Sequence, residues 1–262
     1  MVKKKQKTKT KSSIMSKVKP VSETEQRVSS LFYGRSGTGK TTLASTYPKK
    51  IILLDFSDKG TDSIKDVEGV DTLLMDKWEY VEDIYWSLVN EEHSYQTVVL
   101  DTITGMQNLV IKEVRESNNL DPDDSLSRRN WGEVAGMMNN WLMNYRDLDM
   151  HVVFLAMDRV ENADDEESEY DEDQLDPEVG PSVTPSVART INAAVNVLGN
   201  TYIRQQRKIQ DGKTVLITEY RLRIGPHPYF ITKIRSPKKF KVPSAISNPS
   251  YNKIVKIIKG ES

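Results

Sequence analysis

The sequence predicts an α/β fold with a mostly parallel, doubly wound sheet, and two observations lead to this prediction. Short apolar segments with the length of buried strands alternate with longer segments in which apolar residues recur every three or four positions. Alternation of this kind is the pattern of a sheet covered by helices on both faces. Between the first strand and the first helix, residues 34–41 form a glycine-rich loop, GRSGTGKT. A loop in that position is typical of sheets that bind phosphate groups.

Each predicted element follows from its own local pattern. The strands are 29–33, 51–55, 97–101 and 151–158, and the helices are 77–92, 103–116 and 131–147, after a first helix that begins at Thr41 and ends before Pro48. Later parts of the chain are β-rich, with strands at 201–206, 214–223 and 229–235. Asp211-Gly212 predicts a tight hairpin turn between the first two of these strands. Asn248-Pro249 opens a short C-terminal helix that ends at Gly260.

Charge divides the chain into parts, although the net charge is only −1. Residues 1–26 are rich in lysine and nearly devoid of apolar side chains, so we expect a disordered tail there. This tail is either solvated or an electrostatic arm for nucleic acid, and the sequence leaves both readings open. Residues 27–242 form the predicted core, into which an acidic, mobile loop is inserted at 158–180. Residues 243–262 carry the C-terminal helix.

Composition and hydropathy limit the class of protein. The sequence contains no cysteine, which excludes disulfides and thiolate metal sites. No apolar run approaches the ~20 residues of a membrane span. The basic N-terminal residues are not followed by the apolar region of a secretory signal. We therefore expect a cytoplasmic protein that has no membrane partner.

The glycine-rich loop matches the full pattern G-x-x-x-x-G-K-[ST], which predicts ATP as ligand together with Mg²⁺. Backbone N–H groups of such a loop close around phosphate oxygens. Lys40 is expected to reach the β- and γ-phosphates, and the Thr41 hydroxyl is expected to hold Mg²⁺. The predicted nucleotide-binding residues are Gly34, Arg35, Ser36, Gly37, Thr38, Gly39, Lys40, Thr41 and Thr42.

Carboxylates end the apolar strands that follow the loop. Asp101 ends strand 97–101 in the manner of a Walker B motif, so it is the second predicted Mg²⁺ ligand. Asp55 and Asp58 both follow strand 51–55, and Asp58 is the better candidate to position the attacking water. Asp158 is either a sensor of the γ-phosphate through water or simply the start of the acidic loop.

Lys233 and Arg235 lie two residues apart on a predicted strand, so both project from one face. A Lys-x-Arg pair on a surface strand is ordinarily solvated. Beside a phosphate loop, such a pair can instead act on the nucleotide of a neighbouring subunit. Cations supplied in this way contribute about 10³ to 10⁵ in rate.

In combination these features resemble the RecA-like ATPase core, most closely the minimal RecA-core phage ATPases of the Sak group. The resemblance covers roughly residues 28–260 and rests on three segments, Gly34 to Thr41, Val98 to Asp101 and Thr232 to Pro237. It implies recombination or annealing on single-stranded DNA by a homo-oligomer, a ring or a filament, with ATP at the subunit interfaces. It also implies a single-strand-binding protein as a further partner, and the cytoplasm of a bacterial host as the compartment.

Two positions depart from that family. Ser57 stands where the family commonly has a water-activating glutamate, and Met157-Asp158 stand where a Gln or His switch is common. Slow ATP turnover is therefore expected. The loop that follows the fourth strand binds DNA in RecA, but here it is acidic, so Arg128 and Arg129 are better candidates for phosphate contact.

Two alternative functions remain open at this point. A nucleotide or small-molecule kinase would share the phosphate loop, but it would need an Arg-rich lid where this chain has an acidic loop. An ATP-gated oligomeric scaffold with little hydrolysis is consistent with the missing glutamate.

Overall fold

The computed structural model describes residues 18, 20, 27–56, 60–161, 178–210 and 213–261. Within these ranges the strands are β1 (Ser29–Tyr33), β2 (Ile51–Asp55), β3 (Val70–Leu74), β4 (Thr97–Asp101), β5 (His151–Ala156), β6 (Asp158–Glu161), β7 (Glu178–Pro181), β8 (Val197–Gln210), β9 (Lys213–Arg223), β10 (Lys233–Ile234) and β11 (Ala245–Ser247). The helices are α1 (Lys40–Ala44), α2 (Glu79–Asn90), α3 (Ile103–Ser117), α4 (Arg128–Arg146), α5 (Pro185–Ala194) and α6 (Tyr251–Lys259), with a 3₁₀ helix at Gly60–Ile64.

One large sheet organises the chain, in the order β11-β9-β8-β1-β5-β4-β2-β3, with β10 beside β8. The strands from β8 to β3 in this order are parallel, while β9, β10 and β11 are antiparallel to their partners. β1, β2, β4 and β5 are buried along their whole length, which explains why each is a nearly continuous apolar run. This architecture confirms the predicted α/β fold.

Alternate residues of the central strands feed two hydrophobic clusters, one on each face of the sheet. Leu31 and Leu54 belong to the cluster that α2, α3, α4 and α5 cover. Phe32 and Leu53 belong to the cluster that α1 and α6 cover. Helices therefore lie on both faces, as the doubly wound prediction requires. Within the described ranges, no helix is both long and apolar enough to cross a membrane.

Several predicted boundaries are wrong. Strand β3 and helix α5 were not predicted, and the strand predicted at 151–158 ends at Ala156. The predicted strand 229–235 is a strand only at Lys233–Ile234, because Tyr229 and Ile231 instead exchange backbone hydrogen bonds with Val179.

The two ends of the predicted acidic loop form β-strands. Asp158–Glu161 pairs in antiparallel fashion with Glu178–Pro181. Residues 162–177 of the predicted loop, nearly all of the predicted tail and the Asp211-Gly212 turn lie outside the described residues.

Close packing between α3 and β2 holds the start of α3 next to the end of the sheet. A Cβ atom added at Gly105 would clash with the backbone oxygen of Phe56. We therefore expect Gly105→Ala to lower the free energy of unfolding by about 1–3 kcal/mol, because α3 or the end of β2 must move. Urea denaturation monitored by circular dichroism measures this loss.

Gly136→Ala is the matched control for Gly105→Ala. Gly136 also lies in a helix, α4, but a Cβ atom added there meets nothing within 4 Å. Alanine should stabilise this helix by about 0.5–1 kcal/mol through its higher helix propensity. Equal effects of the two substitutions would contradict the proposed packing constraint.

Candidate nucleotide site

The glycine-rich loop joins the end of β1 to the start of α1, at the carboxyl edge of the parallel strands. The Gly34 N–H donates to the backbone oxygen of Ala156 on the neighbouring strand, at 3.2 Å. At the other end of the loop, Gly39 has φ +85°, a left-handed conformation that turns the chain into α1. The loop is thus fixed at both ends by the sheet and the helix.

A cavity of about 600 Å³ opens over this loop. That volume lies within the ordinary range of about 300–1,000 Å³ for small-molecule sites. Its lining residues are Ser36, Gly37, Gly39, Lys40, Thr41, Thr42, Gly60, Asp62, Ser63, Asp101, Thr102, Met157 and Tyr220. The predicted loop residues from 36 to 42, apart from Thr38, therefore share one cavity with Asp101, which comes from a different strand.

Lys40 is buried, and backbone oxygens of the loop hold its ammonium group. Its Nζ donates to the Gly34 oxygen at 2.7 Å and to the Arg35 oxygen at 3.0 Å, and it lies 3.8 Å from the Met157 sulfur. These contacts fix a positive charge in the cavity wall. An ammonium held in this way suits an anionic ligand such as a polyphosphate.

Thr41 and Asp101 bring two oxygen ligands together. The Thr41 hydroxyl donates to Asp101 Oδ2 at 2.7 Å, and Asp101 is buried at the end of β4. The Phe56 N–H donates to the Asp101 backbone oxygen at 2.7 Å, which ties the end of β4 to the end of β2. Hydroxyl and carboxylate oxygens are the ligands that Mg²⁺ prefers. The residues present therefore fit MgATP, with Thr41 and Asp101 positioned to hold the metal.

Comparison with known proteins agrees with this geometry. A family model described as an AAA domain matches residues 26–236. The chain belongs to the AAA domain family. Its core is therefore that of a P-loop NTPase, and the protein is an ATPase. AAA P-loop ATPases bind ATP and typically Mg²⁺. No curated protein matches the sequence.

Several predicted site residues of this AAA domain do not line the cavity or lie outside the described residues. Asp58, the predicted water-positioning residue, lies outside the described residues. Asp158 is half-buried in β6 and is not among the lining residues, whereas the preceding Met157 is. Gly34 and Arg35 contribute backbone oxygens to Lys40 rather than lining the cavity. Arg128 and Arg129 are exposed at the start of α4.

Lys233 and Arg235 do not line the phosphate cavity of their own chain. Lys233 Nζ donates to the backbone oxygens of Asn192 and Ala193, and Arg235 Nη2 donates to the Ala193 oxygen at 3.3 Å. Both cations therefore cap the C-terminal end of α5, where carbonyl groups lack helical partners. Burial lowers the pKa of Lys233, and the nearby Arg235 guanidinium lowers it further. Their predicted action on a neighbouring subunit stays a prediction.

Tyr220 is a site residue that sequence reasoning missed. It belongs to β9, yet it lines both the phosphate cavity and an adjoining cavity of about 170 Å³. The smaller cavity is otherwise lined by Thr38, Gly39, Thr42, Leu43, Asn248 and Pro249. A Cβ atom at Gly39 would lie only 3.0 Å from the Tyr220 ring, and the Asn248 N–H donates to the Tyr220 backbone oxygen at 2.7 Å. The ring is thereby held against the phosphate loop.

Because the two cavities share Tyr220, we expect its ring to contact the nucleobase of bound ATP. Tyr220→Ala should raise the Kd for ATP about 5- to 150-fold, since base–aromatic contacts contribute about 1–3 kcal/mol each. Tyr220→Phe keeps the ring and should bind within about twofold of the wild type. Fluorescence titration with a labelled ATP analogue measures both values. Equal weakening by the two substitutions would show that the hydroxyl, not the ring, is used.

Proposed function

We propose that the protein is an ATP- and Mg²⁺-dependent, RecA-like ATPase that acts on single-stranded DNA in recombination or annealing, in the manner of the Sak group. It works as a homo-oligomer, a ring or a filament, with nucleotide at the subunit interfaces. A single-strand-binding protein is a further partner of this reaction. One observation carries the intersubunit part of this proposal: among the described lining residues, Lys40 is the only side-chain cation in the phosphate cavity.

In the transition state of triphosphate hydrolysis, negative charge is spread over the phosphate oxygens, and a single side-chain cation stabilises it only in part. Phosphate-loop enzymes commonly meet this charge with a second cation, supplied by the same chain or by a neighbour. Lys233 and Arg235 contact the end of α5 in their own chain, so they do not serve the cavity there. Insertion of this pair into the cavity of the adjoining subunit would supply the charge. This supports an assembly with nucleotide between subunits.

Within one subunit each residue has a separate task. Lys40 contacts the β- and γ-phosphate oxygens, while Thr41 and Asp101 orient the metal. Bound Mg²⁺ offsets phosphate charge and orients the phosphate oxygens. Asp58 is the proposed residue that positions water. Asp62 brings a second carboxylate into the cavity lining, and its contact with Lys65 lowers the pKa of this carboxyl.

Contact with single-stranded DNA is supported by exposed arginines on two segments. Arg128 and Arg129 lie in the first turn of α4, and Arg204 is exposed on β8. Arginine side chains on a protein surface contact phosphates without selecting sequence. We expect binding that weakens steeply with salt, because each neutralised phosphate releases counterions.

The deciding experiment measures ATP hydrolysis with and without single-stranded DNA. The wild type should hydrolyse ATP faster with DNA. An unchanged rate, combined with failure to bind single-stranded DNA at low salt, would remove the DNA proposal while leaving the ATPase assignment intact.

Variants of the Lys-x-Arg pair test the action between subunits. Lys233→Ala and Arg235→Ala should each lower kcat at least tenfold, with Lys239→Ala, an exposed lysine, as the matched control. Mixing Arg235→Ala with Lys40→Ala should restore part of the activity. At some mixed interfaces, the intact phosphate loop of an Arg235→Ala subunit faces the intact Lys-x-Arg pair of a Lys40→Ala subunit. A fall in thermal stability at unchanged kcat would instead assign the pair to the capping of α5 alone.

A further inference from the structure

Strands β8 and β9 continue past the sheet as a free two-stranded ribbon, which we define as residues 203–210 with 213–220. β8 pairs with β1 only over Val197–Asn200, and β9 pairs with β11 only over Arg221–Arg223. Beyond these positions the ladder partner of each strand is the other strand, and at the base of the ribbon the Asn248 N–H donates to the Tyr220 backbone oxygen. At ~3.3 Å per residue, eight residues extend about 26 Å. Because β8 runs parallel to β1, the ribbon rises beyond the edge that carries the phosphate loop.

One face of this ribbon exposes apolar side chains. Directly opposed residues share a face, and Arg207 with Leu216 and Ile209 with Thr214 lie on the same one. Gln205 with Thr218 and Ile203 with Tyr220 follow on this face toward the base of the ribbon, where the Tyr220 ring packs against Gly39. Ile209 is 81% exposed and Leu216 is 56% exposed. Arg207 is also exposed, and this face carries no carboxylate. A solvent-exposed apolar face on an isolated ribbon is typical of a surface that a partner covers.

Helix α2 carries a surface of complementary chemistry, which we call the acidic stripe: Glu79, Glu82, Asp83, Trp86 and Val89. All five are exposed, and their spacing places them along one side of the helix. Trp86 is 48% exposed and Val89 is 47% exposed. The Trp86 Nε1–H donates to Glu82 at 3.2 Å, which fixes the ring among the carboxylates. α2 contains no lysine or arginine.

The two surfaces lie at different ends of the sheet. α2 links β3 to β4, the two neighbours of β2, whereas β8 is separated from β2 by β1, β5 and β4. Those four strand spacings amount to about 19 Å. The ribbon continues β8 and β9, and within one chain both surfaces stay exposed to solvent, so they do not cover each other there. Contact between the surfaces therefore requires two copies of the chain.

We propose that the ribbon of one copy docks on the acidic stripe of the next copy. Ile209 and Leu216 pack against Trp86 and Val89, while Arg207 faces the carboxylates. The occupant is a protein rather than nucleic acid, because the ribbon face offers aliphatic side chains and one described cation, whereas a phosphate backbone favours several cations. Aromatic and arginine side chains are enriched at such interfaces. The inference rests on the proposed homo-oligomer and names its surfaces.

This contact joins different surfaces on the two copies, so it is head-to-tail and extends to a ring or a filament. An open assembly keeps one free ribbon at one end and one free stripe at the other until it closes into a ring. That property distinguishes it from a two-fold symmetric dimer, which buries the same surface on both chains and stops at two.

Two single substitutions and their mixture test the proposal by sedimentation velocity, with full-length protein and a non-hydrolysable ATP analogue. Leu216→Glu destroys the ribbon face and Trp86→Glu destroys the stripe. Both sites are exposed, so the fold should hold, as circular dichroism verifies. Val160→Glu is the matched control, since Val160 is 54% exposed but lies outside both surfaces. Wild type and control should grow in size with concentration, and each variant alone should associate at least tenfold more weakly.

An equal mixture of the two variants gives the decisive result. The intact ribbon of Trp86→Glu can dock on the intact stripe of Leu216→Glu, and the other ends are both blocked, so we expect dimers that grow no further. A monomeric mixture, a monomeric wild type, or variants that assemble like the wild type would overturn the inference. So would a Leu216→Glu variant that loses binding to single-stranded DNA but keeps its size distribution. Because DNA is absent from the sedimentation arms, a wild type that assembles without DNA-stimulated hydrolysis would refute the DNA proposal alone.

Discussion

Lys40→Ala is expected to lower the ATPase rate by at least about 10²–10³-fold, the effect of removing one fixed electrostatic contact to a transition state. The ammonium already lies in the cavity wall, held by the Gly34 and Arg35 backbone oxygens, so the positive charge is in place before ATP binds. Alanine removes the charge and leaves the loop glycines in place. Nucleotide affinity should fall as well, because the same contact forms in the ground state. Steady-state phosphate release and fluorescence titration measure the two effects separately.

Lys112→Ala is the matched control, because Lys112 is an exposed lysine on α3 whose only described ion pair is with Glu116. Exposed pairs of this kind contribute about 0–1 kcal/mol, so its ATPase rate should stay within about twofold of the wild type. Circular dichroism on Lys40→Ala excludes unfolding as the cause of the loss. Near-normal hydrolysis by Lys40→Ala would contradict the assignment of the phosphate cavity as the active site.

The central sheet was predictable because burial on both faces leaves a clear pattern. Leu53 and Leu54 point to opposite faces, and both are covered by helices, so β2 had to be a continuous apolar run. Where a strand has one exposed face the pattern weakens. β3 is an edge strand in which Asp71 is half-buried and Thr72 is exposed, so it lacks the continuous apolar run of β2.

Tertiary contacts decide the elements that sequence reasoning missed. Phe230 lies under the Arg223 guanidinium, at 4.2 Å from the ring centre, and its neighbours bond to Val179 instead of extending β10. Neither contact can be read from the local sequence. Tyr220 is a similar case, because nothing near it in the chain indicates that its ring packs against Gly39.

In the nucleotide site, too, the features with a local sequence pattern could be predicted, and those that depend on tertiary contacts could not. The phosphate loop and Asp101 carry local patterns whose spacing reflects their chemistry, so both could be predicted from short segments. Lys233 and Arg235 also share a face as predicted, but their contacts with the end of α5 depend on where that unpredicted helix lies. The sequence therefore suggests a role for Lys233 and Arg235, but it does not predict that they contact the end of α5.

Asp101→Asn is expected to lower kcat by about 10²–10³-fold and to raise the Mg²⁺ concentration needed for half-maximal activity. Asparagine can still accept the Thr41 hydrogen bond through its amide oxygen, so the 2.7 Å contact is preserved while the negative charge is lost. The loss therefore reports on charge at the metal position rather than on packing. Phosphate release across a Mg²⁺ titration measures both changes. Asp147→Asn, at an exposed position after α4, should leave both values unchanged.

Substitutions of Thr41 test whether the contact between Thr41 and Asp101 holds a metal or only stabilises the fold. Its hydroxyl donates its hydrogen to Asp101 Oδ2, which leaves the oxygen lone pairs available to a cation. Thr41→Val removes the oxygen at nearly constant volume and should behave like Asp101→Asn in the Mg²⁺ titration. Thr41→Ser keeps the hydroxyl and should restore activity to within about tenfold of the wild type. If serine and valine were equally inactive, the missing methyl contact rather than the metal ligand would explain the loss, and the Mg²⁺ assignment would fail.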